Sequence, residues 1–204
     1  MARRTLSRGS ILTKAAALMK QRGVQAVTIR GLAEQLDVTP MAIYKHFRSK
    51  DDLLSALLDR FIVNADVLPK ASLSWDRWLH HVGKAMWTAL TREPDWMALV
   101  AAARIRIGGA EVLAGCLEVM ESAGFSTEDA MEAFFSMSHV AIGAACLESR
   151  ANRMDLSRPF DTSNPELAQS ILGKLKSPDL LREMQRVERG IEMLVVALRT
   201  RLNA

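Results

Sequence analysis

The sequence predicts an all-α fold: an N-terminal three-helix unit containing a helix-turn-helix, followed by a larger helical domain. Three observations predict it. Apolar residues recur at helical spacing along nearly the whole chain, and no stretch alternates as a strand would. Ser, Thr and Asp stand where helices would start, and Gly and Pro where they would stop. The charge is also split: residues 1–50 hold ten Lys/Arg against two acids, a net of +8, while residues 51–204 hold seventeen against twenty-one, a net of −4. A basic head on a mildly acidic body fits a polyanionic partner for the head alone.

The first helix is read from Leu12, Ala15, Ala16, Leu18 and Met19, with Gly23 as its stop. Thr28 is an N-cap for a short helix through Leu36, Asp37 and Val38 make a turn, and Thr39 caps a second short helix, 39–47. Pro40 falls at its first position, where a missing N–H costs nothing. A fourth helix starts near Lys50, with Asp51 and Asp52 suited to its N-terminal dipole and a leucine-rich stripe beyond. The stretch PKASLS, 69–74, breaks the pattern. The organisation read from this is 1–49 helix-turn-helix, 50–68 connecting helix and 69–204 helical domain. Helices in the last part are expected at 75–92, 94–103, 109–123, 127–151, 165–175 and 178–202, with a loop at 152–164. Ser126 with Asp129 three residues on is a capping arrangement.

Two short helices across a tight turn are the geometry of a motif that lays its second helix in a major groove. At about 100° per residue, Ile43 and Phe47 share one face of the 39–47 helix and Met41 and Lys45 the other. The inner pair would pack on Leu32, Ala33 and Leu36. Of the outer set, Lys45 can donate to guanine O6 and N7, and Met41 and Ala42 can touch a thymine methyl. Tyr44, Thr39 and Lys50 can donate to phosphates, Thr28 offers a hydroxyl at a helix N-terminus, and Arg30 one turn on can reach a base edge. Pro40 and His46 complete the expected DNA-facing set.

The run TIRGLAEQLDVTPMAIYKHFRSKDDLL resembles the N-terminal domain of the tetracycline-repressor (TetR) family. The resemblance is carried in order by Thr28, Leu32-Ala33, Thr39, Ile43-Tyr44, Phe47 and Ser49-Lys50, over residues 8–62. Asp37 departs from it, since the family usually has Gly in that turn. Asp tolerates a left-handed backbone better than most non-Gly residues. The stretch GFSTEDAMEAFFSMSHVAIGAACLE, 124–148, is similar to the corresponding helix of the tetracycline repressors themselves. The resemblance implies a ligand-binding and dimerisation domain after the helix-turn-helix. It further implies a four-helix bundle across a homodimer, and a ligand-responsive repressor bound to a palindromic double-stranded DNA operator.

It also implies an effector pocket. Trp78, Met86, Trp87, Trp96, Met97, Met137 and His139 are the residues expected to line it, though the same large apolar residues suit plain core packing equally. In tetracycline repressors a His ahead of the Gly-Phe-Ser helix helps to hold a drug–magnesium chelate. Residues 97–124 contain no His, so the expected effector is an organic, hydrophobic small molecule, with no metal and no cofactor. Arg104 and Arg106 could meet an anion or be solvated. Catalysis is not expected, because no Ser/His, Asp/His or Cys/His spacing matches a catalytic or metal motif. A small-molecule carrier would leave the basic head unexplained, and a general nucleoid protein would need no pocket. Cys116 and Cys146 read as buried thiols of a reducing cytosol. With no apolar run of about twenty residues and no signal peptide, a cytoplasmic location without membrane contact is expected.

Overall fold

The computed structural model describes residues 6–102, 110–151, 164–174 and 186–202, and among them there is no strand. The helices are α1 (Arg8–Arg22), α2 (Ile29–Leu36), α3 (Pro40–Tyr44), α4 (Lys50–Asn64), α5 (Trp75–Arg92), α6 (Asp95–Ala102), α7 (Ala110–Ser122), α8 (Thr127–Ala151), α9 (Pro165–Lys174) and α10 (Val187–Leu202). A 3-10 turn at Val24–Ala26 joins α1 to α2. The contacts divide the chain into two compact units, Met1–Asp66 with Glu93–Glu111 and Val67–Arg92 with Val112–Ala204. The sequence reading put α6 with the larger domain; it groups instead with α4. The expected loop 152–164, the first residues of the expected last helix, and Arg104 and Arg106 lie outside the described residues, apart from Asn164.

In the first unit, the Ser7 hydroxyl accepts the Ser10 N–H while the Ser10 hydroxyl accepts the Ser7 N–H, closing a reciprocal cap on α1. Gly23 ends α1 at φ 78°, donating its N–H to the Met19 carbonyl at 2.7 Å. Ile11, Ala15, Leu18 and Met19 of α1 share a core with Leu32, Leu53, Leu57 and Leu58. Helix α6 joins this core through Trp96, whose ring stacks on Phe61 of α4 at 4.3 Å and whose indole N–H donates to Glu93.

The second unit is built on α5, α8 and α10, which pack on one another in all three pairs. They meet at Gly83, where a Cβ would lie 2.5 Å from Ile191 Cδ1 and 3.1 Å from Met137 Cγ. The absence of a side chain is what lets the three axes converge. Ion pairs at the surface fix the register of α10: Lys84–Glu188 and Arg199–Asp76 to α5, and Arg201 with Asp129 and Glu132 to α8. Helix α8 begins as expected, with the Ser126 hydroxyl accepting the Asp129 N–H at 3.1 Å. Cys116 is buried here, and burial pushes its thiol up to about 12. Cys146 is exposed rather than buried, because it falls on the outer face of α8, away from the stripe of Ala133, Met137, Ala141 and Ala145.

Candidate nucleic-acid interface

The turn between α2 and α3 begins with a helix stop. The Thr28 hydroxyl accepts the Gly31 N–H at 3.0 Å and caps α2. Nine residues after Thr28, Asp37 takes the left-handed conformation, φ 53° and ψ 50°. Val38 then donates its N–H to the Ala33 carbonyl at 3.0 Å, the long bond of a Schellman stop. The departure from Gly at this position is thus absorbed by an Asp holding the conformation that Gly would hold.

Helix α3 is shorter than the sequence suggests, ending at Tyr44 instead of residue 47. The chain still turns helically past it, since Lys45 donates its N–H to the Met41 carbonyl and Phe47 its N–H to the Ile43 carbonyl. Thr39 sits at the N-cap position with an extended backbone but makes no side-chain capping bond. With Pro40 at the first helical position there is one N–H fewer to satisfy, and the Thr39 hydroxyl remains exposed.

The two faces of this segment differ sharply. Ile43 and Phe47 are fully buried, beside a fully buried Leu32 and a 2% exposed Ala33. Burying each large side chain stabilises by ~1.5–3 kcal/mol, which holds a five-residue helix that would not form alone. On the other face Met41 is 68% exposed and Tyr44 47%. Thr39, Pro40, Lys45 and Arg30 are also exposed, and Thr28, Ala42, His46 and Lys50 are half-buried. An exposed Met on a short helix has no folding role to explain it, and the cations beside it are Lys45, Arg48 and Lys50.

The residues expected to meet an effector are distributed over both units. Trp78, Met86, Trp87, Met137 and His139 belong to the second unit, Trp96 and Met97 to the first. Met137 has no exposure and fills the Gly83 crossing. Trp78 is 5% exposed, its ring against Gly115 of α7. Met86 and Trp87 are half-buried and His139 is exposed. A groove of about 680 Å³ in the second unit is lined by residues 68–75, Trp78, and Gly115, Glu118, Val119, Ser122 and Ala123 of α7; of the seven it includes only Trp78. Among the described residues no cluster of three or more His, Cys, Asp or Glu is arranged to hold a metal ion.

Sequence reasoning missed two contributors to the segment from α2 through α3. Gly31 is one: a Cβ there would lie 3.0 Å from the Thr28 hydroxyl oxygen, crowding the cap of α2. A small residue three positions after a capping Thr was a legible signal for it. The other is Arg8, which donates to the His46 carbonyl across 38 residues of sequence, a contact with no local signature.

Comparison with known proteins agrees with this geometry. The family described as "Bacterial regulatory proteins, tetR family" matches residues 11–57. The chain is 28% identical over 201 residues to the class D tetracycline repressor protein of Escherichia coli, covering 95% of this chain and 92% of that one. A TetR variant from Acinetobacter baumannii, solved with minocycline, shares the fold with a TM-score of 0.70 at 22% identity, covering 98% of this chain and all of that one. With the class A tetracycline repressor protein from transposon 1721 of Escherichia coli the identity is 31% over 152 residues, spanning 74% of this chain and 70% of that repressor. A likeness of that extent places this chain in the TetR family, as a DNA-binding regulator of transcription.

Proposed function

We propose that the protein is a repressor that binds a two-fold symmetric operator as a homodimer and leaves it when a hydrophobic organic effector binds. The observation that carries the reading is the exposure of Met41 and Lys45 on a helix whose opposite face is fully buried. Lys45 and Met41 read base edges, while Thr28, Thr39, Tyr44 and Lys50 hold phosphates. One short helix spans too few base pairs for a unique site, and two-fold pairing supplies the rest, with half-sites roughly 34–36 Å apart.

The dimer reading is supported by the second unit. Helix α8 is long and apolar enough over Thr127–Glu148 to cross a membrane, yet only 33% of its apolar window is buried within the chain. Phe135 and Leu147 of α8 and Met193, Val196 and Leu202 of α10 are exposed. Ser136, Ser138 and His139 interrupt the apolar sequence of α8, and α5 and α10 pack along it. We assign the remaining apolar surface to a second copy of the chain, which buries it as a four-helix bundle of two α8 and two α10 helices.

Effector recognition is assigned to the half-buried Met86 and Trp87 of α5 and to Trp78 of the same helix, which lines the groove of about 680 Å³. The effector is not a tetracycline–magnesium chelate, although the curated relatives are named for tetracycline, because no His occurs in residues 97–124. No catalytic step and no cofactor is assigned, and the site of action is the cytoplasm, where the DNA is. Effector binding changes the setting of α4, the last helix before the chain passes into the second unit. Coupling of ~1–3 kcal/mol, up to about a hundredfold in operator affinity, is the usual scale. Selection of bound duplexes from a random library tests the reading. An inverted repeat preferred at least ~10³-fold over random duplex supports it; equal binding to all sequences returns the protein to a general DNA binder.

A further inference from the structure

We propose that Arg8, at the start of α1, is a positioning residue for the DNA-reading segment and sets its sequence preference without touching DNA. The inference rests on the reading role of α3 proposed above.

Three contacts of one guanidinium converge on the exit of α3. Arg8 Nη1 donates to the His46 carbonyl oxygen at 2.7 Å, the first carbonyl after Lys45. The guanidinium carbon lies 4.3 Å from the centre of the Phe47 ring, whose side chain is fully buried. Nη2 lies 3.7 Å from Asp52 Oδ1 on α4. The other oxygen of that carboxylate, Oδ2, accepts the Arg48 N–H at 2.8 Å, and the Asp52 N–H is itself held by the Ser49 hydroxyl at 3.1 Å. Residues 46–48 are therefore gripped at two backbone points, a carbonyl by Arg8 and an amide by Asp52, with the Phe47 ring between them. Asp59, further along α4, also feels this cation, which opposes the rise that burial imposes on its carboxyl. Arg60 stitches the same turn of α1 to α4, donating to the Gly9 carbonyl and the Thr13 hydroxyl.

The consequence follows from the length of α3. A helix of five residues has too few internal bonds to fix its own orientation. Its N-terminal end is set by the Asp37 turn. Its C-terminal end has no glycine stop, and Arg8 supplies the lock. Only a planar fork can meet a carbonyl, a ring face and a carboxylate together, which Lys cannot do. The Arg8 side chain is 51% exposed, so the lock is moderate in strength and acts on orientation more than on folding.

The test measures binding of the full-length protein to its selected operator and to random duplex over a range of salt. Arg8→Gln should lower the operator-to-random ratio about tenfold, the scale of a charged hydrogen bond, and leave the slope of log affinity against log salt unchanged. Arg8→Lys, which keeps the charge, should recover less than half of that loss on a logarithmic scale. Asp52→Asn, which removes no group offered to DNA, should reproduce part of the Arg8→Gln effect and add little to it in the double variant. If Arg8→Gln loses its helical circular dichroism, Asp52→Asn with the double-mutant cycle built on Arg8→Lys decides the question. A slope that flattens by ~0.9 with equal losses on all duplexes makes Arg8 a phosphate contact and overturns the proposal. An unchanged ratio overturns it too. A wild-type protein with no operator preference would refute the reading role itself, an outcome distinct from a wild type that prefers its site and an Arg8→Gln variant that prefers it equally.

Discussion

Replacing Asp37 by Gly isolates the physics of the turn that sets the entry of α3. Asp37 stands at φ 53° and ψ 50°, where an L residue meets its own Cβ against the following carbonyl. The strain is ~1–2 kcal/mol for a general residue and less for Asp. The carboxylate also sits at the C-terminal end of α2, where the helix dipole disfavours a negative charge by ~0.3–1 kcal/mol. Glycine removes both terms but loses ~0.5–1 kcal/mol through the entropy of the unfolded chain. The balance is a stabilisation of ~0.5–1 kcal/mol. Asp37→Val reverses the sign, because a β-branched side chain is a severe outlier at this φ; it should cost ~1–3 kcal/mol. Equilibrium urea unfolding followed by circular dichroism measures both. Removing one negative charge beside the proposed DNA-facing helix should also raise affinity for every duplex alike at low salt. A Gly variant less stable than wild type, or a Val variant of equal stability, would show that the left-handed stop does not govern this turn.

Other consequences are direct. Lys45→Ala should relax base preference at one position of each half-site by ~1–3 kcal/mol, whereas Lys50→Ala should weaken all sequences about equally and flatten the salt dependence by about one unit; competition binding at several salt concentrations separates them. Cys116, with its thiol pushed up to about 12 by burial, should resist thiol reagents until the chain unfolds, and a titration of reactive thiols before and after denaturant reads this out. Asp76 is held down to about 2 by the Ser74 hydroxyl at 2.6 Å and by Arg199 at 2.8 Å. Its contribution is therefore complete above the ordinary carboxylate range near 3.8 and is lost as pH falls towards 2, and Arg199→Gln should reduce it by no more than about 1 kcal/mol in acid unfolding.

Most of the helical framework was legible because its signals are local. Thr28, Asp37, Pro40 and Ser126 each act within four residues of their own position, and the structure places a cap, a left-handed stop, a helix start and a second cap there. The burial of Ile43 and Phe47 followed from spacing alone. What escaped was everything that depends on distant partners. Apolar periodicity cannot say that α6 joins α4, because Trp96 would look the same whether it stacked on Phe61 or lined a cavity. The same ambiguity hides which large side chains meet an effector: Met137 had the right chemistry, yet it is spent on the Gly83 crossing. The extent of α3 was overestimated because residues 45–47 keep helical spacing in a turn that is no longer regular helix. Cys146 was misplaced because α8 is apolar on more than one face, so composition does not identify its inner stripe.

The central claim is that the exposed face of α3 lies against base edges. Photo-crosslinking from single positions tests it most directly, with a photoreactive side chain placed in turn at Met41, at Lys45 and, as a control, at the exposed Ala114 of α7. On the selected operator, positions 41 and 45 should crosslink to bases at symmetric places in both half-sites, and position 114 to none. Crosslinks from 114 with none from 41 or 45, on a duplex bound with full affinity, would contradict it.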